Sequence, residues 1–109
     1  MIHILIADDH PIMRDGLKQI LSAFSDIVVA GEASNGDEVL AAIHAKKFDV
    51  LVLDMSMPGK SGIELIKQIR IEKPELPILV LSMHKEAQYA VSALKAGAAG
   101  YLCKDGASH

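Results

Sequence analysis

The chain has 109 residues, half of them hydrophobic, with 11 basic against 14 acidic side chains and a formal charge of −3. That length allows one small domain with a real core, and the acidic balance excludes the basic footprint of a nucleic-acid binder. A single cysteine, Cys103, excludes an internal disulfide and suits a reducing cytoplasm, while no apolar run approaches a bilayer span and the N-terminus lacks the basic start of a secretory signal.

In chain order, Ile2 to Ala7 is an apolar run broken only by His3, and it ends in Asp8-Asp9. It reads as a first buried strand. Pro11 stands where a helix begins, and Met13, Leu17, Ile20, Leu21 and Phe24 recur at helical spacing, so the first helix is expected over Pro11 to Phe24. Gly16 inside it costs about 1 kcal/mol relative to Ala, which a close packing contact would explain. Ile27 to Ala33 is a second strand. Asn35 with Glu38 three residues on marks the next helix start, Glu38 reaching back to free N–H groups. Val39, Leu40 and Ile43 face inward there, and Lys46-Lys47 suit the negative end of the helix dipole.

Asp49 to Asp54 is an apolar run that stops in a carboxylate and leads to Met57-Pro58-Gly59. It reads as a third strand buried on both faces. Ser61 with Glu64 repeats the cap pattern, Ile63, Leu65, Ile66 and Ile69 form the third helix's stripe, and Pro74 stops it. Ile78 to Ser82 is the fourth strand. An Ala-rich helix spans Lys85 to Ala96 with a thin stripe of Ala87, Ala90, Val91 and Leu94, which predicts a loosely anchored element, and Gly97 ends it. Gly100 to Cys103 is a short fifth strand, followed by Lys104.

Strict alternation of strand and helix argues for a parallel sheet with right-handed crossovers and helices on both faces. In such a sheet the carboxyl ends of the strands share one rim, where open α/β proteins place their chemistry. That rim collects Asp8 and Asp9, Asp54, Ser82 and Lys104. Alone, each has an ordinary reading: a helix cap, a turn residue, a strand-end hydroxyl, a solvated lysine. Together they are complementary. Grouped carboxylates repel and hold a proton unless a cation joins them, and oxygen donors suit Mg²⁺. An ionised Asp54 can act as a nucleophile and form an acyl phosphate, with Lys104 and Ser82 meeting the phosphoryl oxygens.

The segments Ile4-Leu5-Ile6-Ala7-Asp8-Asp9-His10, Leu51-Val52-Leu53-Asp54-Met55-Ser56-Met57-Pro58-Gly59, Val80-Leu81-Ser82 and Gly100-Tyr101-Leu102-Cys103-Lys104-Asp105 resemble the receiver domain of a two-component response regulator over the whole chain. The resemblance implies a flavodoxin-like, doubly wound sheet of five parallel strands in the order 2-1-3-4-5, an order the handedness rules alone do not give. It implies a signalling domain that catalyses only its own phosphorylation and dephosphorylation. Asp54 would accept phosphate from a sensor histidine kinase. Asp9, Asp54 and the Ser56 carbonyl would bind Mg²⁺, with Asp8 helping through water. Lys104 would pair with the phosphate, Ser82 would swing to hydrogen-bond it, and Tyr101 would turn inward after Ser82. By itself Tyr101 reads as an ordinary half-buried strand aromatic.

The Asp-Asp-His-Pro opening and the Lys-Asp pair after the last strand resemble the NarL/FixJ-like subgroup, whose receivers precede a helix-turn-helix output domain. Most receivers carry proline where this chain has Asp105, so the proline turn does not transfer. His84 lies where the family tunes dephosphorylation, and it equally suits a solvated loop. The expected whole is a receiver over 1–109, cut before its fifth helix, with the DNA-binding domain beyond it, homodimerisation on activation, and DNA contact only through that output domain. If the polypeptide ends there, an exposed apolar patch beside the first helix predicts low stability or self-association. Two competitors fit less well. A haloacid-dehalogenase-like phosphohydrolase would carry a second Asp where Ser56 stands. A flavodoxin-like cofactor carrier would have a Gly-rich loop where Asp8-Asp9-His10-Pro11 would repel an anion.

Overall fold

The computed structural model describes residues 1–55, 62–82 and 87–103. Its elements are β1 (Ile2–Ala7), α1 (Pro11–Ser22), β2 (Ile27–Ala33), α2 (Gly36–Ala45), β3 (Val50–Asp54), α3 (Gly62–Glu72), β4 (Ile78–Ser82), α4 (Ala87–Ala96) and β5 (Gly100–Cys103). All strand pairs are parallel, in the order β2-β1-β3-β4-β5. This is the flavodoxin-like order that the resemblance implied.

Because successive strand residues point to opposite faces, an unbroken apolar run covers both. In β1, Leu5 and Ala7 join a core with Val39 and Ile43 of α2, Leu65, Ile66 and Ile69 of α3, and Ala93 and Ala96 of α4. Ile4 and Ile6 face the other way, with Val52, Leu81 and the partly buried Leu17 and Leu21 of α1. The register of β1 on β2 slips between Ile4 and Leu5, leaving Ala30 as an extra residue, a bulge in an edge strand.

Asn35 caps α2 as its sequence predicts. Its side chain accepts from the Glu38 N–H at 2.9 Å, and the Glu38 carboxylate accepts from the Ser34 N–H at 2.7 Å. Lys46 departs from expectation. It ends α2, but its ammonium donates to the Ala30 carbonyl on β2 at 2.9 Å, so it holds the bulge rather than the helix end.

The stripes of two helices also differ. α1 stops at Ser22, because the Ala23 and Phe24 N–H groups turn to carbonyls three residues back, Ile20 and Leu21. Ile20 and Phe24 are 64% and 53% exposed, and no residue of α1 is fully buried. A Cβ on Gly16 would meet nothing within 4 Å, so no close contact accounts for this glycine. Among the described side chains of α4 the inward ones are Ala93 and Ala96, while Val91 and Leu94 are 46% and 47% exposed; those of Ala87 and Ala90 lie outside the description. Small side chains let this helix approach the sheet, which turns the larger ones outward. The expected caps and turns at Met57 to Ser61 and Lys85, and the expected roles of His84 and Asp105, lie outside the described residues.

Candidate functional site

The carboxyl ends of β1, β3 and β4 bring Asp8, Asp54 and Ser82 to one rim, and all three are buried. The strand ladder sets this placement: Leu53 pairs with Ala7, Asp54 with Leu81, and Ser82 with Cys103. The ladder continues into the loops, where the Asp8 N–H donates to the Ala33 carbonyl at 2.9 Å and the Met55 N–H to the Leu81 carbonyl at 3.0 Å. Tyr101 pairs with Val80 and packs, partly buried, against the core under α2, α3 and α4. Ser56 and Lys104 lie outside the described residues.

The β1–α1 turn is held from two sides. The Asp8 carboxylate accepts from the His10 N–H at 2.8 Å, closing a tight turn ahead of Pro11. The Arg14 guanidinium donates to the Asp8 carbonyl at 2.8 Å and the Ser34 hydroxyl at 3.0 Å, and it meets the Glu32 carboxylate at 3.3 Å. Helix α1 is thus tied by its first turns to both β1 and β2, with its positive N-terminal end beside the carboxylates.

One further residue enters the cluster. The His10 Nδ1 lies 3.0 Å from an oxygen of Asp8, 3.0 Å from one of Asp9 and 3.5 Å from one of Asp54. In the sequence His10 is one letter of the Asp-Asp-His-Pro opening, with no chemistry of its own implied. The signal was its place: the cap position before Pro11 favours Ser, Thr, Asp or Asn, and the His10 ring makes no capping hydrogen bond.

Asp8, Asp9, His10 and Asp54 can offer donor atoms all within 4.8 Å of one another. A set dominated by carboxylate oxygens fits a hard divalent cation such as Mg²⁺, and two of its carboxylates are almost closed to solvent, where uncompensated charge is costly.

Fold and rim together define an open α/β domain that carries its chemistry on an acidic strand edge. The family model of the response regulator receiver domain matches residues 4–109. The nitrate/nitrite response regulator protein NarL of Escherichia coli is 42% identical over 102 residues, which are 94% of this chain and 47% of that protein. The signal receiver domain of the response regulator NarL from Mycobacterium tuberculosis superposes with a TM-score of 0.88 at 36% identity, covering 95% of this chain and 84% of that one. RcsB of Salmonella enterica serovar Typhimurium, bound to promoter rprA in the presence of the phosphomimetic BeF₃⁻, gives a TM-score of 0.88 at 32% identity over 94% of this chain and 59% of that one. This chain belongs to the response regulator receiver family, among its NarL-like members, and is a domain of phosphorylation-dependent signalling rather than a conventional enzyme. It spans about half the length of the curated relatives it matches. Among the described residues no helix is long and apolar enough to cross a membrane.

Proposed function

We propose that Asp54 is the phosphoacceptor of a cytoplasmic two-component response regulator, that a sensor histidine kinase is its donor, and that the modified domain controls a DNA-binding output domain beyond residue 109. The observation that carries this reading is the buried Asp54 carboxylate at the end of β3, held beside Asp8, Asp9 and His10. A carboxylate kept so close to two others is suited to one task that surface aspartates are not, nucleophilic attack at a phosphorus whose charge a shared cation offsets.

An Asp54 oxygen attacks phosphorus, the bond from phosphorus to the donor imidazole nitrogen breaks, and the imidazole leaves with the electron pair and takes a proton. The product is an acyl phosphate on Asp54. Asp8, Asp9 and Asp54 are the residues to hold Mg²⁺, with the Ser56 carbonyl added by family resemblance; when bound, the ion neutralises charge on the phosphoryl oxygens. Ser82, one strand over from Asp54, donates its hydroxyl to the new phosphate, and Lys104 pairs with it. Tyr101 then follows Ser82 inward. Helix α4, seated on two alanines, is the element whose population shifts with it. The shifted surface promotes homodimerisation, and DNA is met only through the output domain. That RcsB was solved on a promoter with a phosphomimetic supports this output.

Intact-mass measurement after incubation with Mg²⁺ and acetyl phosphate tests the reading. One added phosphoryl group is expected, absent without Mg²⁺ and absent in Asp54→Asn. A folded wild-type chain that gains no mass, or an Asp54→Asn variant that gains it equally, overturns the assignment.

A further inference from the structure

We propose that His10 is a fourth donor of the metal centre, placing an imidazole nitrogen among the Asp8, Asp9 and Asp54 oxygens, and that this chain therefore favours first-row transition ions such as Mn²⁺ and Co²⁺ over Mg²⁺. The inference rests on the reading of the acidic rim as a cation site.

Three observations converge on the ring. First, its position is unused for capping, although it stands at the cap of α1. Second, its Nδ1 sits 3.0 Å from oxygens of both Asp8 and Asp9. Neighbouring donors of an octahedral ion with bonds of about 2.1 Å lie about 3.0 Å apart, so the ring nitrogen already occupies the spacing of an adjacent ligand. The same nitrogen lies 3.5 Å from an oxygen of Asp54. Third, the ring is held from its own backbone: Asp8 accepts from the His10 N–H at 2.8 Å, so the same carboxylate that would bind the ion also fixes the turn carrying the imidazole. The side chain is 58% exposed, which leaves it open to ion entry from solvent.

The chemistry of the added atom sets the selectivity. Carboxylate and carbonyl oxygens alone suit Mg²⁺, whereas an imidazole nitrogen raises affinity for later first-row ions and does little for Mg²⁺. The ring nitrogen can also hydrogen-bond Asp8, at 3.0 Å. One nitrogen cannot ligate an ion and make that bond together, so a spectroscopic probe of the bound ion separates the two.

The experiment uses Mn²⁺, Co²⁺ and Mg²⁺ with the wild-type chain, His10→Ala, His10→Gln and Asp54→Asn. Pulsed EPR of bound Mn²⁺ should show nitrogen coupling in the wild type and none in the two His10 variants. Calorimetric titration should show the Co²⁺-to-Mg²⁺ affinity ratio falling about tenfold in both, the order by which metal sites weaken on losing a partner. Mn²⁺ that binds, weakens in Asp54→Asn, but shows no nitrogen coupling removes His10 from the centre and leaves the carboxylate site standing. Mn²⁺ binding that is absent, or indifferent to Asp54→Asn, overturns both the centre and the role of His10. A wild-type spectrum without nitrogen coupling overturns the role of His10 even if a variant fails to fold, and His10→Gln, the milder change, assigns the coupling where His10→Ala is unstable.

Discussion

One face of the sheet lies under α2, α3 and α4, and each of these helices with described side chains sends fully buried residues into it. The other face, among the described residues, meets α1, which buries none of its side chains completely and leaves Ile20, and Phe24 just past its end, largely in water. The strands share this asymmetry only mildly, since Leu5, Leu51 and Val80 on the first face are closed to solvent while Ile4, Val52 and Leu81 on the second keep 6%, 7% and 9% exposure. What differs is how the helices are attached. On the first face attachment is apolar, reinforced by Arg70, whose guanidinium donates to the Gly97 carbonyl at 2.9 Å, to the Pro74 carbonyl at 2.7 Å and to the carbonyl of Leu76. On the second it leans on polar ties: Arg14 to Asp8, Ser34 and Glu32, and Lys18 to Glu32 at 3.1 Å. The helix that opens at the acidic rim is thus the one held by the weaker kind of contact.

The largest expected difference comes from truncating one apolar side chain on each face. Ile66→Ala, in α3, should cost about 3–4 kcal/mol of unfolding free energy, in the range for a fully buried aliphatic. Leu21→Ala, in α1, should cost about 1 kcal/mol, because a half-buried side chain loses less transfer energy and leaves no closed cavity. Urea titrations compare the two directly, and equal losses would erase the contrast between the faces.

Glycines sharpen it at the next scale, with opposite signs. Gly16 in α1 has open space where a Cβ would go, so Gly16→Ala should stabilise by about 1 kcal/mol through helix propensity and reduced chain entropy. Gly97, at the end of α4, has φ +126°, a conformation only glycine adopts without strain, and a Cβ there would run into the Arg70 side chain. Gly97→Ala should destabilise by about 1–3 kcal/mol. Thermal melts of the pair check both signs.

The smallest effect is electrostatic. The Lys18 ammonium is raised above its ordinary range first by its hydrogen bond to Glu32 and then by that carboxylate's charge, with burial opposing. A cation raised on folding adds stability that is complete below its unfolded pKa and disappears as pH climbs through the folded one. The wild type should therefore lose a small increment at strongly alkaline pH that Lys18→Gln does not lose, and molar salt should shrink the difference at neutral pH. Denaturation midpoints of both proteins at neutral and alkaline pH measure it.

Much of this was legible before any coordinates. Short unalternating runs such as Val50 to Leu53, bounded by Asp49 and by Asp54 with the Pro58-Gly59 turn, read as strands buried on both faces, so strand positions and the parallel sheet followed from the pattern. The Asn35–Glu38 cap was legible because its chemistry is local. The strand order was not, because alternation is compatible with several orders; it came by resemblance. The helix faces failed where size and polarity compete. Periodicity alone pointed Val91 and Leu94 of α4 inward, but alanines pack closest to the sheet. The same periodicity put Ile20 and Phe24 against it, while α1 is steered instead by the salt links of Arg14 and Lys18. At the site, the strand ends located Asp8, Asp54 and Ser82, because a carboxylate after an apolar run can stand only at the rim. His10 was missed because its meaning lies across space, in three carboxylates that two different strand ends supply.

The bulge in β2 carries a further consequence. An edge strand ordinarily offers a regular row of N–H and C=O groups, an open invitation for another chain's strand to extend the sheet. Here that row is broken at Ala30, whose carbonyl is already engaged by Lys46. A would-be neighbour meets a register that no straight strand can follow and a positive charge standing over the gap. This side of the domain is protected against sheet-to-sheet aggregation.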